Sequence, residues 1–506
     1  MAESRLMRAI DRLLVVDPAI CRWEVLPCEN CRGAGGMMRV AGALLGCAVA
    51  FAAVAEGPEE LVDPVPETIA KGDIVVGVVP FVRAPQSFDP VKPLGTNDAW
   101  ARLQSLAAIP DGSGRLVFSD LRGLLYVTDA SGAEPQVYLD LRREGLALHN
   151  HDFPNEAGLL GFAFHPDFAE RGKPGHGKFY TAYSAAPETL AEVISGSNQQ
   201  SVIREWTIAD PGATAFVGTA REVFRVSQFA PTHNIGTIAF NPAAGPGSDD
   251  YGLLYVCLGD GGGANDPQKN GQNPDTLLSA ILRIDPMGDA KGEYGIPEDN
   301  PFADGEGGAP EVWAWGLRHA QQFSWDIDGR MFINDIGQDQ VEEVNLGVAG
   351  GNYGWPVREG TFATAQGSAG TRLGSVYARP DEEPGRFVYP VAQYDHGEGF
   401  AIGSGFVYRG EGIPELRGRY IFGDITLGRI FHIDADDLTP GEPATISELR
   451  LMVDGEEREL IDLAGYTNTY HADIPRVDLR MGMDAEGEIY LLTKGDGWIR
   501  KLVAAN

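Results

Sequence analysis

The sequence predicts an all-β fold assembled from one repeated unit. Glycine and proline are abundant, at 65 and 33 of 506 residues. Apolar residues rarely recur at helical spacing, so the composition favours short strands joined by tight turns. A glycine after a polar turn introduces a strand-forming segment repeatedly along the chain. These glycines are Gly114, Gly177, Gly252, Gly329, Gly418 and Gly487.

An apolar run that ends in an Asx or proline turn precedes most of these glycines. The runs are LAAIPDGSG, FAFHPDFAERG, IAFNPAAGPG, FSWDIDG and MGMDAEG. A strand, a turn and a second strand are the unit of an antiparallel sheet. Six such units around one axis predict a six-bladed β-propeller of four-stranded antiparallel blades, and roughly 75 residues per unit require long loop insertions. Two packed β-sandwich domains are the alternative, which explains the repeat less well.

The N-terminal region differs from the rest of the chain. Arg39 precedes an apolar run over 40–55 that closes with small residues, as in a secretory signal with its cleavage site. We expect 1–36 to be an upstream extension absent from the mature protein, 37–55 a signal peptide, 56–100 an N-terminal segment and 101–506 the propeller. The mature protein would be periplasmic or secreted and lack a stable membrane span, because the run is short for one. An uncleaved anchor is the alternative.

The charge of the chain argues against polyanionic partners. The formal net charge is −32, with 72 acidic against 40 basic residues. General electrostatic attraction to nucleic acid or to an anionic membrane is therefore not expected. An anionic ligand would need a local cluster of arginines or a bound cation.

His233 and Asp260 are the main candidates for chemistry. His233 stands in PTHNIGTIAF, ahead of an alternating run typical of a strand that starts at a channel mouth, and Asp260 follows the next apolar strand. A carboxylate at that place can accept a hydrogen bond from the imidazole and set its tautomer, as a general base requires. On local grounds, a turn residue and a turn cap are equally open interpretations of the two.

Nine segments follow one another along the chain in a specific order. They are NEAGLLGFAFHPDF, HNIGTIAFNP, YVCLGDGGG, ILRIDP, IPEDNPF, EVWAWGLRH, DIGQDQVEEVN, GGNYGWP and GSGFVYRG. In this order they resemble the glucose/sorbosone dehydrogenase family, which includes soluble aldose dehydrogenases that use pyrroloquinoline quinone (PQQ). The resemblance runs from about Leu103 to Leu502. It implies a six-bladed β-propeller exported by bacteria, with PQQ and calcium as cofactors.

The resemblance also implies roles for individual residues. His233 would take the proton of the sugar C1 hydroxyl, with Asp260 as the group that orients it. The cofactor would be bound by Arg318, His319, Arg409 and Arg429, and the sugar by Glu156. Calcium would be held by the backbone carbonyls of Gly337 and Gln338. Where the family has Arg-Asn-Pro, this chain has Arg318-His319-Ala320.

These observations predict an exported quinoprotein that oxidises the C1 hydroxyl of an aldose or related sugar to a lactone. Electrons would pass from PQQ to an unidentified acceptor. Two other functions remain open on the same architecture. One is a carbohydrate- or protein-binding propeller that lacks PQQ, and the other is a calcium-dependent hydrolase similar to a lactonase.

Overall fold

Short β-strands form nearly all the regular structure of the computed structural model, so the predicted all-β class is confirmed. The structure describes residues 57–87, 99–149, 156–189, 193, 196–288, 294–383, 385–465 and 476–505. The predicted upstream extension and signal peptide lie outside these residues. None of the described helices is long and apolar enough to cross a membrane.

The strands follow one another closely along the chain. The first are β1 Glu60–Leu61, β2 Lys71–Arg83, β3 Leu103–Ala108, β4 Leu116–Asp120, β5 Leu124–Thr128, β6 Gln136–Asp140, β7 Leu159–Phe164, β8 Lys178–Ala185, β9 Gln199–Ile208 and β10 Gly218–Gln228. Next are β11 Ile235–Phe240, β12 Leu254–Leu258, β13 Ala280–Ile284, β14 Val312–Trp315, β15 Gln322–Trp325, β16 Met331–Asp335, β17 Val341–Leu346, β18 Arg358–Glu359, β19 Phe362–Thr364 and β20 Val376–Tyr377. The last are β21 Ala392–Asp395, β22 Ile402–Val407, β23 Arg419–Asp424, β24 Ile430–Asp434, β25 Ser447–Val453, β26 Glu456–Glu457, β27 Leu479–Met483, β28 Ile489–Thr493 and β29 Trp498–Ala504. Single helical turns cover Leu141–Arg143, Pro414–Leu416 and Leu460–Ala464.

The repeated glycines lie in the turns between strands. All six adopt a left-handed backbone, with φ between 72° and 86°. Glycine reaches this region without the Cβ clash that other residues meet there. Each tight turn is therefore marked by a single glycine in the sequence. This local signal is why the repeat can be recognised without the structure.

Most strands belong to antiparallel sets of four. Separate sheets have the orders β10-β9-β8-β7, β11-β12-β13-β14 and β15-β16-β17-β21. A longer path runs β22-β23-β24-β25-β2-β29-β28-β27-β3-β4-β5-β6, in which the pairs β25–β2 and β27–β3 are parallel. A small sheet with the order β1-β20-β19-β18 joins the N-terminal strand β1 to three short strands between β17 and β21.

The first strand of each set contacts the first strand of the next set. Contacts join β3 to β7, β7 to β11, β11 to β15, β15 to β22, β22 to β27, and β27 back to β3. The N-terminal strand β2 pairs with the last strand, β29. The fold therefore begins before residue 101, where the sequence placed its start, because β2 completes the last set of strands.

Apolar side chains fill the spaces between neighbouring sheets. Ile203 on β9 and Val256 on β12 are fully buried in one such cluster, and Phe332 on β16 and Phe431 on β24 in another. Full burial of a side chain of this kind contributes roughly 1.5–3 kcal/mol. Packing between the sheets fixes the strands, and with them the positions of the loops at the strand ends.

Candidate functional site

His233 lies immediately before β11, at the end of the fold where the first strands start. Its backbone has φ of 52°, an uncommon value for a residue other than glycine. Its N–H donates to Glu156 Oε2 at 2.7 Å, and its Nδ1 lies 2.6 Å from Asp260 Oδ1. With Nδ1 engaged in this way, Nε2 is the ring nitrogen left for a ligand. The predicted pairing of His233 with Asp260 is present in the structure.

Asp260 follows β12 and is almost completely buried, with 1% of its surface exposed. Its carboxylate accepts from Gly262 N at 2.8 Å and from Trp355 Nε1 at 2.9 Å, in addition to His233. Burial by itself raises the pKa of a carboxyl, but the neighbouring His233 imidazole holds the pKa of Asp260 below its usual value. An ionised, fully hydrogen-bonded Asp260 fixes the orientation of the imidazole.

Arg318 and His319 come just before β15 and meet His233 from the neighbouring set of strands. Their backbone N–H groups both donate to the Asp335 carboxylate, at 2.8 and 2.7 Å. The His319 ring stacks on the His233 ring with 5.0 Å between centroids and 16° between planes. Burial lowers the pKa of His319 well below its usual value, so its imidazole is neutral.

The guanidinium of Arg318 uses only some of its hydrogen-bond donors within the protein. Its guanidinium carbon lies 5.6 Å from the centre of the Trp355 ring, and Nη1 donates to Ile336 O at 3.1 Å. Arg318 Nε is buried and has no hydrogen-bond partner within the described part of the chain. A half-buried guanidinium whose buried N–H lacks a partner is suited to an anionic ligand.

Glu156 contacts both histidines and is partly exposed to solvent. Its Oε2 accepts from the backbone of His233 and lies 3.6 Å from His319 Nε2. Its side chain is 29% exposed, against 4% for His319. Glu156 is therefore the more exposed neighbour of both histidines.

Gly337 and Gln338 lie in a tight loop between β16 and β17. The N–H groups of residues 338 to 341 all donate to Glu359 Oε1, at 2.9 to 3.1 Å. A Cβ atom on Gly337 would lie 1.9 Å from Val341 O. No hydrogen bond from a described residue reaches the carbonyl oxygens of Gly337 and Gln338. The loop thus turns its N–H groups to Glu359 and leaves the two carbonyls free.

Asp335 and Glu343 form a buried acidic pair behind Arg318 and His319. They are register partners on β16 and β17. Burial raises the pKa of Asp335 to about 7, and burial together with Asp335 raises the pKa of Glu343 to about 8. Both carboxyls therefore hold their protons in the fold at a pH where an unfolded chain would release them.

We expect Asp335 and Glu343 to contribute a fall in the free energy of unfolding as pH rises from about 4.5 to 8, because these two carboxyls keep protons in the fold that the unfolded chain releases across this window. The Glu343→Gln variant should show a shallower slope and a higher free energy of unfolding than wild type at pH 8, because the amide does not ionise. Urea denaturation at four pH values measures both. Glu306→Gln, on an exposed loop residue, is the control. A slope unchanged by Glu343→Gln would contradict this assignment.

Arg409 is not part of this group. It follows β22, and its guanidinium pairs with Asp326, which follows β15. His319 and Arg318 precede β15, so Arg409 lies at the opposite end of the strands. The expectation that Arg409 binds the same ligand as Arg318 is therefore corrected: the strand that carries it runs away from the site.

Arg429 lies between β23 and β24, at the same end of the strands as His233. Its guanidinium N–H groups, however, already donate hydrogen bonds within the protein. Nε and Nη2 donate to Glu448 at 3.0 and 2.7 Å, Nη1 donates to Glu398 Oε2 at 2.7 Å and to Glu398 O at 2.8 Å, and Nη2 also donates to Ile69 O at 2.9 Å. No donor remains for a ligand carboxylate. Arg429 therefore stabilises the contact between these segments, and we remove it from the candidate site.

Two cationic residues of this region were missed from sequence. Arg480 lies on β27 and Lys494 directly follows β28, and both are buried, with 4% and 0% exposure. Arg480 lies close enough to Glu156 and His319 to interact electrostatically with both. A charged residue within or just after an otherwise apolar strand, as in LRMGM and IYLLTK, was the available signal.

Comparisons with known proteins place these features in context. The family model described as glucose/sorbosone dehydrogenase matches residues 101–458. The HIPL1 protein of Arabidopsis thaliana is 31% identical over 363 residues, which cover 62% of this chain and 50% of that protein. The chain thus spans about half the length of the curated relatives it matches.

Solved structures resemble the fold at low sequence identity. The apo-form of the soluble aldose sugar dehydrogenase from Escherichia coli has a TM-score of 0.57 at 20% identity, covering 85% of this chain and 100% of that one. The PQQ-bound form of aldose sugar dehydrogenase from Streptomyces coelicolor has a TM-score of 0.52 at 22% identity, covering 80% and 94%. At this identity the likeness shows a shared fold.

Proposed function

The chain belongs to the glucose/sorbosone dehydrogenase family, and from this premise we propose that it is an exported quinoprotein that oxidises the C1 hydroxyl of an aldose to a lactone. The observation that carries the proposal is the imidazole of His233, held by the buried carboxylate of Asp260 at 2.6 Å and left with Nε2 free. An imidazole fixed in this way, with Nε2 open to a ligand, is suited to act as a general base.

We propose that the strand sets form a six-bladed β-propeller. The ring of contacts from β3 through β7, β11, β15, β22 and β27 back to β3 supports this count. In such a ring the starts of the first strands surround one channel mouth, where ligands of propellers bind. His233, Arg318 and Arg480 are located at these starts.

The residues present fit an anionic quinone. Arg318 Nε, Arg480 Nε and Lys494 Nζ are buried donors without hydrogen-bond partners among the described residues. Carboxylates of PQQ would satisfy such donors through charge-assisted hydrogen bonds. When bound, PQQ accepts a hydride from the sugar, and calcium polarises the accepting carbonyl as a Lewis acid.

Calcium would be held by the carbonyl oxygens of Gly337 and Gln338. Oxygen ligands of this kind are those that calcium prefers. Within the described ranges, no group of three or more His, Cys, Asp or Glu side chains is arranged to hold a metal ion. We assign the protein's share of the calcium ligands to the backbone of this loop.

The chain's own residues would perform the proton transfer. His233 Nε2 receives the proton of the C1 hydroxyl, and Asp260 stabilises the imidazolium that forms. Neutral His319, stacked on His233, adds no positive charge against that imidazolium. Glu156 offers an acceptor to a sugar hydroxyl at the exposed side of the pair.

Reconstitution of the protein with calcium and PQQ tests the proposed function. We expect the visible spectrum of PQQ to shift on binding and at least one member of a panel of aldoses to reduce an artificial dye. The same preparation without PQQ is the control. If PQQ does not bind, or no aldose reduces the dye, the proposed function is wrong.

A close approach of backbone at Gly259 provides a further prediction. A Cβ atom there would lie 2.6 Å from both His233 O and His319 Nδ1. We expect Gly259→Ala to displace the histidine pair and lower turnover by about 100-fold, since misplacement of a catalytic group by 1 Å can cost that much. Gly245→Ala, where the added Cβ meets no atom within 4 Å, should keep wild-type activity. Equal turnover of the two variants would contradict the proposed geometry.

A propeller that binds a carbohydrate or a protein without redox chemistry is the second candidate. One observation favours it: Arg318, Arg409 and Arg429 do not meet in one pocket. This function predicts that a glycan array gives hits with the PQQ-free protein and that these hits persist in the His233→Asn variant. The dehydrogenase predicts loss of dye reduction in that variant.

A further inference from the structure

A small pocket opens at the end of the strands where His233 lies. It is formed by the turn before β9, the end of β10 and the loop between β12 and β13, and its volume is about 170 Å³. The polar and aromatic side chains that line it are Ser197, Ser227, Gln228, Phe229, Gln268 and Asn270. The description of the candidate site above uses none of them.

The lining of this pocket is polar but uncharged. None of the described residues that line it is acidic or basic. The pocket beside Tyr490, by contrast, is lined by Asp484, Glu486 and Glu488. Hydroxyl and amide groups both donate and accept hydrogen bonds, and they carry no charge that would select an ion. The lining therefore favours a neutral ligand with several hydroxyl groups.

Gln228 has a buried donor that the described part of the fold does not use. Its side chain is 1% exposed. Its Oε1 accepts from Gln199 Nε2 at 3.5 Å, whereas its Nε2 has no hydrogen-bond partner among the described residues. A buried amide N–H without a partner is costly to a fold. Because Gln228 lines the pocket, an oxygen atom placed in the pocket can accept from this donor.

Phe229 adds an aromatic ring to the polar lining. The ring is partly exposed, and a Cβ atom on Gly261 would lie 3.4 Å from its Cδ1 and Cε1 atoms. A sugar ring presents apolar C–H groups as well as hydroxyls, so an aromatic surface beside amides matches both of its parts. A cavity of about 150 Å³ can hold a six-membered ring. The pocket therefore has room for one pyranose.

The pocket adjoins the segments that hold His233 and Asp260. Asn270, which lines it, donates to the backbone carbonyl of Asp260 at 2.8 Å. Gln199 donates to the side chain of Asn234, which directly follows His233. A ligand in the pocket would thus lie against the same backbone segments that position the histidine and its carboxylate.

We propose that this pocket binds one ring of a neutral saccharide, at a place separate from the imidazole of His233. The Gln228 amide donates to an oxygen of the ring, and Phe229 contacts its C–H groups. Two sources could supply the ring. One is a further unit of the saccharide that is oxidised, and this source rests on the proposed function. The other is a separate glycan, which does not require PQQ.

Saturation-transfer NMR with the PQQ-free protein tests the pocket. The probes are the methyl glycosides of glucose, galactose, mannose and xylose, which have no free C1 hydroxyl to oxidise. We expect wild type to bind at least one of them and Gln268→Trp to bind none detectably, because an indole at this exposed lining residue fills the pocket. Gln136→Trp, the same substitution at an exposed residue of β6, is the matched control and should bind as wild type does.

The Gln228→Leu variant tests the unpartnered donor. Leucine keeps most of the side-chain volume but has no N–H to donate. We expect the affinity for the bound glycoside to fall roughly 2- to 10-fold, the size of one neutral hydrogen bond. An NMR titration of the glycoside measures this change. An unchanged affinity in a folded Gln228→Leu protein would contradict the proposed contact.

Dye reduction by the PQQ-loaded protein identifies the source of the ring. If Gln268→Trp raises the KM for maltose but not for glucose, the pocket holds a second unit of the substrate. If both KM values stay unchanged while glycoside binding is lost, the pocket binds a separate glycan.

The binding test is independent of the proposed function. If PQQ does not bind, the proposed dehydrogenase is wrong, but glycoside binding that is lost in Gln268→Trp still supports the pocket. Binding of no methyl glycoside to wild type, or equal binding to wild type and Gln268→Trp, overturns the proposal.

Discussion

The His233→Asn variant is expected to lose about 10²–10⁴-fold in turnover with aldoses, the range typical of a lost general base. Asparagine keeps a polar group beside Asp260 but accepts no proton near neutral pH. Affinity for PQQ should change little, because its carboxylates would be held by Arg318, Arg480 and Lys494. Steady-state dye reduction measures the first quantity and spectral titration of PQQ the second.

His176→Asn is the matched control for this variant. His176 lies in the turn between β7 and β8, at the opposite end of the strands, and its substitution should leave turnover unchanged. His233→Asn with wild-type turnover would remove His233 as the base. Loss of PQQ binding in this variant would instead mean that His233 holds the cofactor.

The Asp260→Asn variant should be the second most damaging change, with about 10²–10³-fold lower turnover. The amide that replaces the carboxylate can donate as well as accept, so it no longer requires the tautomer with the proton on Nδ1 of His233. It also carries no negative charge to stabilise the imidazolium. Dye reduction at saturating aldose measures the loss, and spectral titration should show that PQQ still binds.

Asp249→Asn is the control for Asp260→Asn. Asp249 is exposed and lies before β12, whereas Asp260 follows that strand, so the control changes the same functional group at the opposite end. Its turnover should equal that of wild type. If Asp260→Asn also kept full turnover, the hydrogen bond to His233 Nδ1 would have no part in the reaction.

The strand architecture could be predicted from sequence because its signals are local. Each repeated glycine marks a turn that requires positive φ, and the apolar runs beside it become the paired strands. The contribution of β2 to the last set could not be predicted in this way. It depends on pairing between residues more than 400 positions apart, such as Val78 and Leu502.

The candidate site could be predicted in part, for the same physical reason. His233 and Asp260 flank one hairpin, β11–β12, at its open end, so their proximity follows from strand order. Arg409 was misplaced because its motif matches at the start of β22 while the residue itself lies beyond the end of that strand. Arg480 and Lys494 were missed because burial of a charge depends on packing between strands, which no local pattern reveals.

The stacked pair of His233 and His319 also depends on tertiary structure. Gly259 allows the two rings to approach, since a Cβ there would collide with both residues. The sequence showed the change from the family's Asn to His319, but only the fold shows that the new ring is buried against His233. The substitution therefore alters the surroundings of the proposed base directly.

The most direct test of the account is the absorption spectrum of protein-bound PQQ under anaerobic conditions, recorded before and after addition of an aldose. We predict that the cofactor is reduced in the wild-type protein and stays oxidised in His233→Asn over the same time. Reduction at the same rate in both proteins, or an unchanged wild-type spectrum with every aldose, would contradict the proposal that His233 serves a quinone in this fold.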